Sequence, residues 1–401
     1  MSEVTERTAL GRPGRKWSFS ASGETNVLLA FIAGIAVVAI VLWDAFETVI
    51  LPRRVTRRFR LAQLFYRSTW GTWSAFAALA PGRRRETLLG FFGPLSLLVL
   101  FAFWATGLII GFGLLQWSLG SQLNVAPESH TFSTYLYLSG TTFFTLGFGD
   151  VVPLGAGGRV LAVLESGTGF GFLALVLGYL PVMYQGFSRR EVSISLLDAR
   201  AGSPPVAAEL LHRHREDHGQ EALRQLLHEW ERWSAELMES HLSYPVLAYF
   251  RSQHDNQSWL AALTAILDAS ALVMVSASGP LERQARLTFA MARHAVVDLA
   301  QVFATPPRQL PSQRLKPEDW DRLRQILGWA QEPTHRNPTF DDLARLHAMY
   351  EPYVTSLAAY LRLSLPPWAP PARKRDNWQT SAWERRASSP PTCATPDDDH
   401  L

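Results

Sequence analysis

The sequence predicts an all-α membrane protein: three transmembrane helices, a re-entrant loop between the second and third, and a helical cytoplasmic domain. Three observations carry this. Apolar residues crowd the first half of the 401-residue chain, and only 18 % of all residues are charged, a low share for a soluble protein. Long uncharged runs end in clusters of arginine, as membrane spans do at the cytoplasmic side. The second half has helical periodicity and little strand-like alternation.

Residues 1–26 are polar, lack a cleavage pattern and read as a flexible N-terminal arm. Residues 27–51, "VLLAFIAGIAVVAIVLWDAFETVIL", form the first transmembrane helix. At 1.5 Å per residue such a run crosses a hydrocarbon core of about 30 Å. Asp44 and Glu47 lie three apart near its end, on one helix face, within reach of the arginines that follow.

Residues 52–86 are an arginine-rich amphipathic segment. "PRRVTRRFR" holds five arginines, and residues 61–80 suit a helix lying on the membrane surface. No charge occurs from Thr87 to Pro127, and a second span is expected over about 89–115. A third apolar run extends from Arg159 to Ser188, broken only by Glu165, and ends at Arg189 and Arg190.

The arginine clusters at 53–60, 83–85 and 189–190 are expected on the cytoplasmic side. The loop from Gln116 to His130 has no Lys or Arg and is expected outside. The first span then starts outside, so the N-terminus is external.

Residues 131–158 must leave the outer face at His130 and return to it before Arg159. "TFSTYLYLSGTTFFT" suits a helix of about three turns, too short to span. The expectation is a helix going in and irregular backbone coming out. Such backbone is tolerated at membrane depth only inside protein or along a water-filled path. Gly147 and Gly149 open left-handed conformations. Alternating left- and right-handed dihedrals aim successive carbonyls to one side, where they can replace the hydration shell of a monovalent cation.

"TLGFGD", Thr145 to Asp150, resembles the selectivity-filter signature of potassium channels, T-[VIL]-G-[YF]-G-D. The order span, short helix, filter, span also resembles that family's pore domain, here residues 87–188. The resemblance implies a re-entrant pore loop in which the carbonyls of Thr145, Leu146, Gly147 and Phe148 face the pore. It implies that the Thr145 hydroxyl forms the innermost site, that Gly149 closes the filter and that Asp150 stands at the outer mouth. By its distance after the filter, Gly169 is the best match to the family's gating hinge, with close helix packing as the alternative reading. Phe148 stands where tyrosine is commoner, and Phe144 where threonine is usual.

One filter strand per chain implies a homotetramer, since a ring of carbonyls needs four. The expected function is a potassium-selective, passively conducting channel subunit in the cell membrane, multi-pass and in contact with lipid. The alternatives are a nonselective cation channel and a membrane-anchored receptor or enzyme with a helical cytoplasmic domain.

Residues 191–365 are expected to form that helical domain, and residues 366–401, rich in Pro, Ser and charge, a disordered tail. No dinucleotide fingerprint, catalytic constellation or arginine ladder within a span is present, so neither an enzyme, an organic cofactor nor a voltage sensor is expected. The cytoplasmic regulator is not legible. His212, His214, His218 and His228 suit a solvated helix face better than a metal site, so potassium ions are the only metal expected. The single cysteine, Cys393, allows no intrachain disulfide, and a net charge of +3 gives no argument for nucleic acid.

Overall fold

A computed structural model of the chain describes residues 21–51, 61–215, 219–253, 257–308, 314–329 and 337–370. It is an all-α membrane protein with an additional helical domain. Among the described residues, four helices are long and apolar enough to cross a membrane. Three are α1 (Ala21–Ala45, continued as a π-helical turn over Phe46–Ile50), α3 (Gly82–Ser118) and α5 (Ala156–Ala201). The fourth, α8 (Trp259–Ser276), is 89 % buried among other helices, whereas the apolar windows of α1 and α5 are each 11 % buried. Protein therefore surrounds α8, and it is the centre of a bundle.

The chain forms two compact units. One draws on the chain up to Trp43 and on Ala102–Ala174. It contains the C-terminal part of α3, the short helix α4 (Phe132–Phe143) and the first part of α5. The other draws on Asp44–Phe101 and on the chain from Leu175. It contains α2 (Leu61–Ala77), α6 (Ala207–Arg213), α7 (Gly219–Ser243), α8, α9 (Pro280–Val302), α10 (Pro317–Ile326), α11 (Phe340–Ala348) and α12 (Glu351–Leu361).

Several boundaries in the second unit depart from the sequence reading, each because a distant partner buries what local pattern would expose. The segment 61–80 was expected to lie on the membrane surface. Instead α2 docks in the domain core: Trp70 is 3 % exposed, donates from Nε1 to the Tyr360 carbonyl at 2.9 Å, and packs edge-on against Phe92. The Asp44 carboxylate accepts the Ala62 amide at 3.1 and 3.2 Å, where an anion caps the exposed donors of a helix N-terminus. Much of the arginine cluster expected beside it, 52–60, lies outside the described residues, as do residues 1–20 of the expected arm. Helix α1 itself begins at Ala21, inside the stretch read as that arm.

Arg189 and Arg190 end the apolar run but not the helix, which continues to Ala201. Arg190 is buried, donating to the Leu247 and Phe250 carbonyls at 2.9 and 2.8 Å and pairing with Glu191 at 2.9 Å. Burial and the neighbouring Arg190 hold His241 well below the usual histidine range, so its ring stays neutral. The stretch from Ala207 to Ser243 carries two helices, α6 packing on α8 and α7 mainly on α9. His218 falls between them, outside the described residues. The expected tail boundary at 366 is also too early: Trp368 is 1 % exposed in the core, and its carbonyl accepts the Ala208 amide. Residues 371–401 lie outside the described residues.

Polar groups stabilise the middle of this core. Arg314 binds Asp268 with both terminal nitrogens at 2.9 Å and Glu351 at 3.0 Å, and the Tyr350 hydroxyl also reaches Asp268. Burial would raise the Glu351 carboxyl, but His347 and Arg314 outweigh it and hold it down at about 2. The His347 Nε2–Glu351 Oε2 separation of 2.9 Å is an ion-pair distance without hydrogen-bond alignment.

Candidate functional site

The loop after α4 is built from two directions. From below, α4 ends at Phe143, and its last turn passes directly into the loop: the Thr141 carbonyl accepts the Leu146 amide at 2.8 Å and the Gly147 amide at 3.4 Å. A helix C-terminus carries partial negative charge, which favours a cation beyond it. From the side, the segment after α3 clamps the way out. Leu123 and Pro153 form an isolated antiparallel bridge. The Asn124 side chain accepts the Val152 amide at 2.7 Å and donates to the Asp150 carbonyl at 3.1 Å.

Between these anchors the backbone alternates. Thr145, Gly147 and Gly149 have φ of 55°, 57° and 79°, while Leu146 and Phe148 are not left-handed. Glycine adopts such angles freely, which accounts for the two glycines. Thr145 is β-branched, and a left-handed β-branched residue is an outlier of the kind that clusters at functional sites. The sequence gives no sign of it.

All six residues from Thr145 to Asp150 are exposed in the single chain. Asp150 is held by the Tyr137 hydroxyl, which donates to Oδ2 at 2.9 Å. Tyr137, Asn124 and Ser139 are site residues that the sequence reading missed. Only the placement of an asparagine in a loop could have flagged one of them.

Behind the loop, α4 lies on α5 through two rungs. The Ser139 hydroxyl contacts both the Ile109 carbonyl, at 2.7 Å, and Glu165 Oε1. Glu165 is fully buried, and its Oε2 has no hydrogen-bond partner. One turn on, Gly169 meets the end of α4: a Cβ there would lie 1.9 Å from the Phe143 carbonyl oxygen. Close packing thus requires glycine at 169, in a helix that runs through it unbroken. Among the described residues no group of His, Cys, Asp or Glu is arranged to hold a metal ion. The Nδ1 atoms of His212 and His214 lie instead against the Ile326 and Leu210 carbonyls.

Residues 97–185 match the model of a family described as an ion channel, a stretch that runs from within α3 through α4 and the loop into α5. No curated protein and no solved structure matches the chain. The match covers the clamp, the alternating backbone and the helix pair around them, and it leaves the large helical domain outside. Residues 97–185 are thus similar to the pore domain of ion channels of the potassium-channel-like family.

Proposed function

We propose that the chain is a subunit of a potassium-selective channel in the cell membrane, four copies of which conduct passively around one axis. The observation that carries this is the alternation of left-handed backbone at Thr145, Gly147 and Gly149, set at the C-terminal end of α4. Such alternation turns successive carbonyls to one side. The carbonyls of Thr145, Leu146, Gly147 and Phe148 would replace the hydration shell of potassium, with the Thr145 hydroxyl as the innermost site. Gly149 closes the filter and Asp150 stands at its mouth.

Each chain supplies one such strand, and its apolar side chains are open for contact with further copies. On this reading α1, α3 and α5 are the spans, the N-terminus is external, and the domain from 191 to 365 is cytoplasmic and serves assembly or gating. Gly169 supports α4 by close packing, and bending there would require that contact to part.

The test is ion flux from liposomes carrying the purified protein. Potassium flux should be blocked by barium and abolished by Gly147→Ala, while sodium flux stays far lower. Equal sodium and potassium flux would make it a nonselective cation channel. No flux under any condition, or a protein that never forms tetramers on crosslinking, would sink the reading.

A further inference from the structure

Next to the inner ends of α1 and α5, the helical unit has a cavity of about 90 Å³ that is open at its mouth. Its polar wall is rich in donors. The Thr48 hydroxyl is buried without a hydrogen-bond partner among the described residues, an unfavourable state if nothing fills the space. The Gln63 amide, the Tyr66 and Tyr179 hydroxyls and the Arg67 guanidinium also line the space, and none has a hydrogen-bond partner among the described residues.

Arg67 only donates, while the hydroxyls and the Gln63 amide can donate as well as accept, so an acceptor-rich anion can use every one of these groups. Glu47 stands on the same wall and limits how much negative charge fits beside Arg67. A single negative charge suits this balance better than a dianion. The lining also has an apolar part: Val246 and Phe303 are buried, and Leu51 and Val302 line the cavity as well. Arg67 is exposed, whereas Val246 and Phe303 are buried, so the cation is nearer to solvent than the apolar lining.

We propose that this cavity binds a small amphipathic monocarboxylate, its carboxylate on Arg67, Gln63 and Thr48 and its alkyl or aryl body against Val246 and Phe303. Tyr179 is on α5 and Thr48 is on the turn that ends α1, so the ligand joins two helices of the channel to α2 and the domain. Occupancy therefore biases the gate, a consequence that rests on the channel reading above.

The probe is octanoate, with octanol as the uncharged control, added to the purified full-length protein in detergent during thermal melts. Octanoate should raise the melting temperature with saturation, and octanol should not. Arg67→Gln should weaken binding by about tenfold or more, as loss of a charge-assisted contact does. Thr48→Val, which leaves the apolar packing intact, should weaken it less. Equal shifts with octanoate and octanol, or wild-type affinity in Arg67→Gln with an unchanged ligand-free melt, would overturn the site. Oleic acid built into the liposomes, compared with octanoate from the aqueous side, tells a membrane source from a free one by which of them alters flux. Saturable octanoate binding by a protein without flux would keep the site and remove the channel reading, so the two failures are distinguishable.

Discussion

Around the loop after α4 the apolar side chains point outward: Phe144, Leu146 and Phe148 are 57 %, 55 % and 68 % exposed in the single chain. Main-chain hydrogen bonds and three left-handed residues hold the shape there. In the helical domain the reverse holds. Asp268 is fully buried, Arg314 clamps it with two nitrogens, and α8 has protein on nearly every side. The loop is specified by backbone angles that a single chain leaves open to further copies. The domain is specified by side chains that a single chain already satisfies. Substitutions should therefore fail in different ways in the two regions: in conduction without loss of fold in the loop, and in fold without a direct effect on selectivity in the domain.

The largest effect is expected at Arg314. Arg314→Met leaves Asp268 and Glu351 buried without their cation, at a cost of about 3–5 kcal/mol. The full-length protein should melt several degrees lower, while the potassium-to-sodium ratio of whatever remains folded stays unchanged. A changed ratio would break the division between the two regions.

Next comes Gly169→Ala. A methyl 1.9 Å from the Phe143 carbonyl must push α4 off α5, and overpacking of this kind costs about 1–3 kcal/mol. Both the melting temperature and the flux should fall. If only gating kinetics change and the melt does not, the position acts as a hinge and the contact is secondary.

Acid should act on the domain before the loop. The Glu351 carboxyl, held at about 2 in the fold, stabilises it fully above the unfolded value of about 4.3, and that contribution is lost as pH falls towards 2. It amounts to a few kcal/mol, and melts taken between about pH 5 and pH 2 should decline with a slope that Glu351→Gln flattens. An unchanged slope in that variant would assign the acid sensitivity elsewhere.

The smallest effect is expected from Glu165→Gln, which keeps the shape and polarity that meet Ser139. Flux and selectivity should stay within about twofold of wild type, whereas Glu165→Ala removes the rung and leaves Ser139 only the Ile109 carbonyl, a loss of about 1–3 kcal/mol. Equal behaviour of the two variants would show that α4 is positioned by the Gly169 contact alone.

Local pattern made much of the pore region legible. Charge-free runs and a helix too short to cross anticipate the long apolar helices α1, α3 and α5 and the short α4, and glycines two apart anticipate the angles found at Gly147 and Gly149. The left-handed Thr145 was not legible, because a β-branched residue has no local preference for that angle and is held there by the turn off α4. Nor was the Asn124 clamp, which joins residues far apart in the chain.

In the domain the sequence announced helices but not their ends. Arg190 reads as a membrane flank until the carbonyls of Leu247 and Phe250 receive it. Trp368 reads as part of a polar tail until the bundle buries it. By itself the sequence determined what backbone and solvent preferences determine: which segments leave water, which turn back, and where the chain can take left-handed angles. Tertiary structure alone decided which charges are buried, where helices stop and which residues hold the loop from behind. Those outcomes depend on partners distant along the chain, whose contacts outweigh local preference.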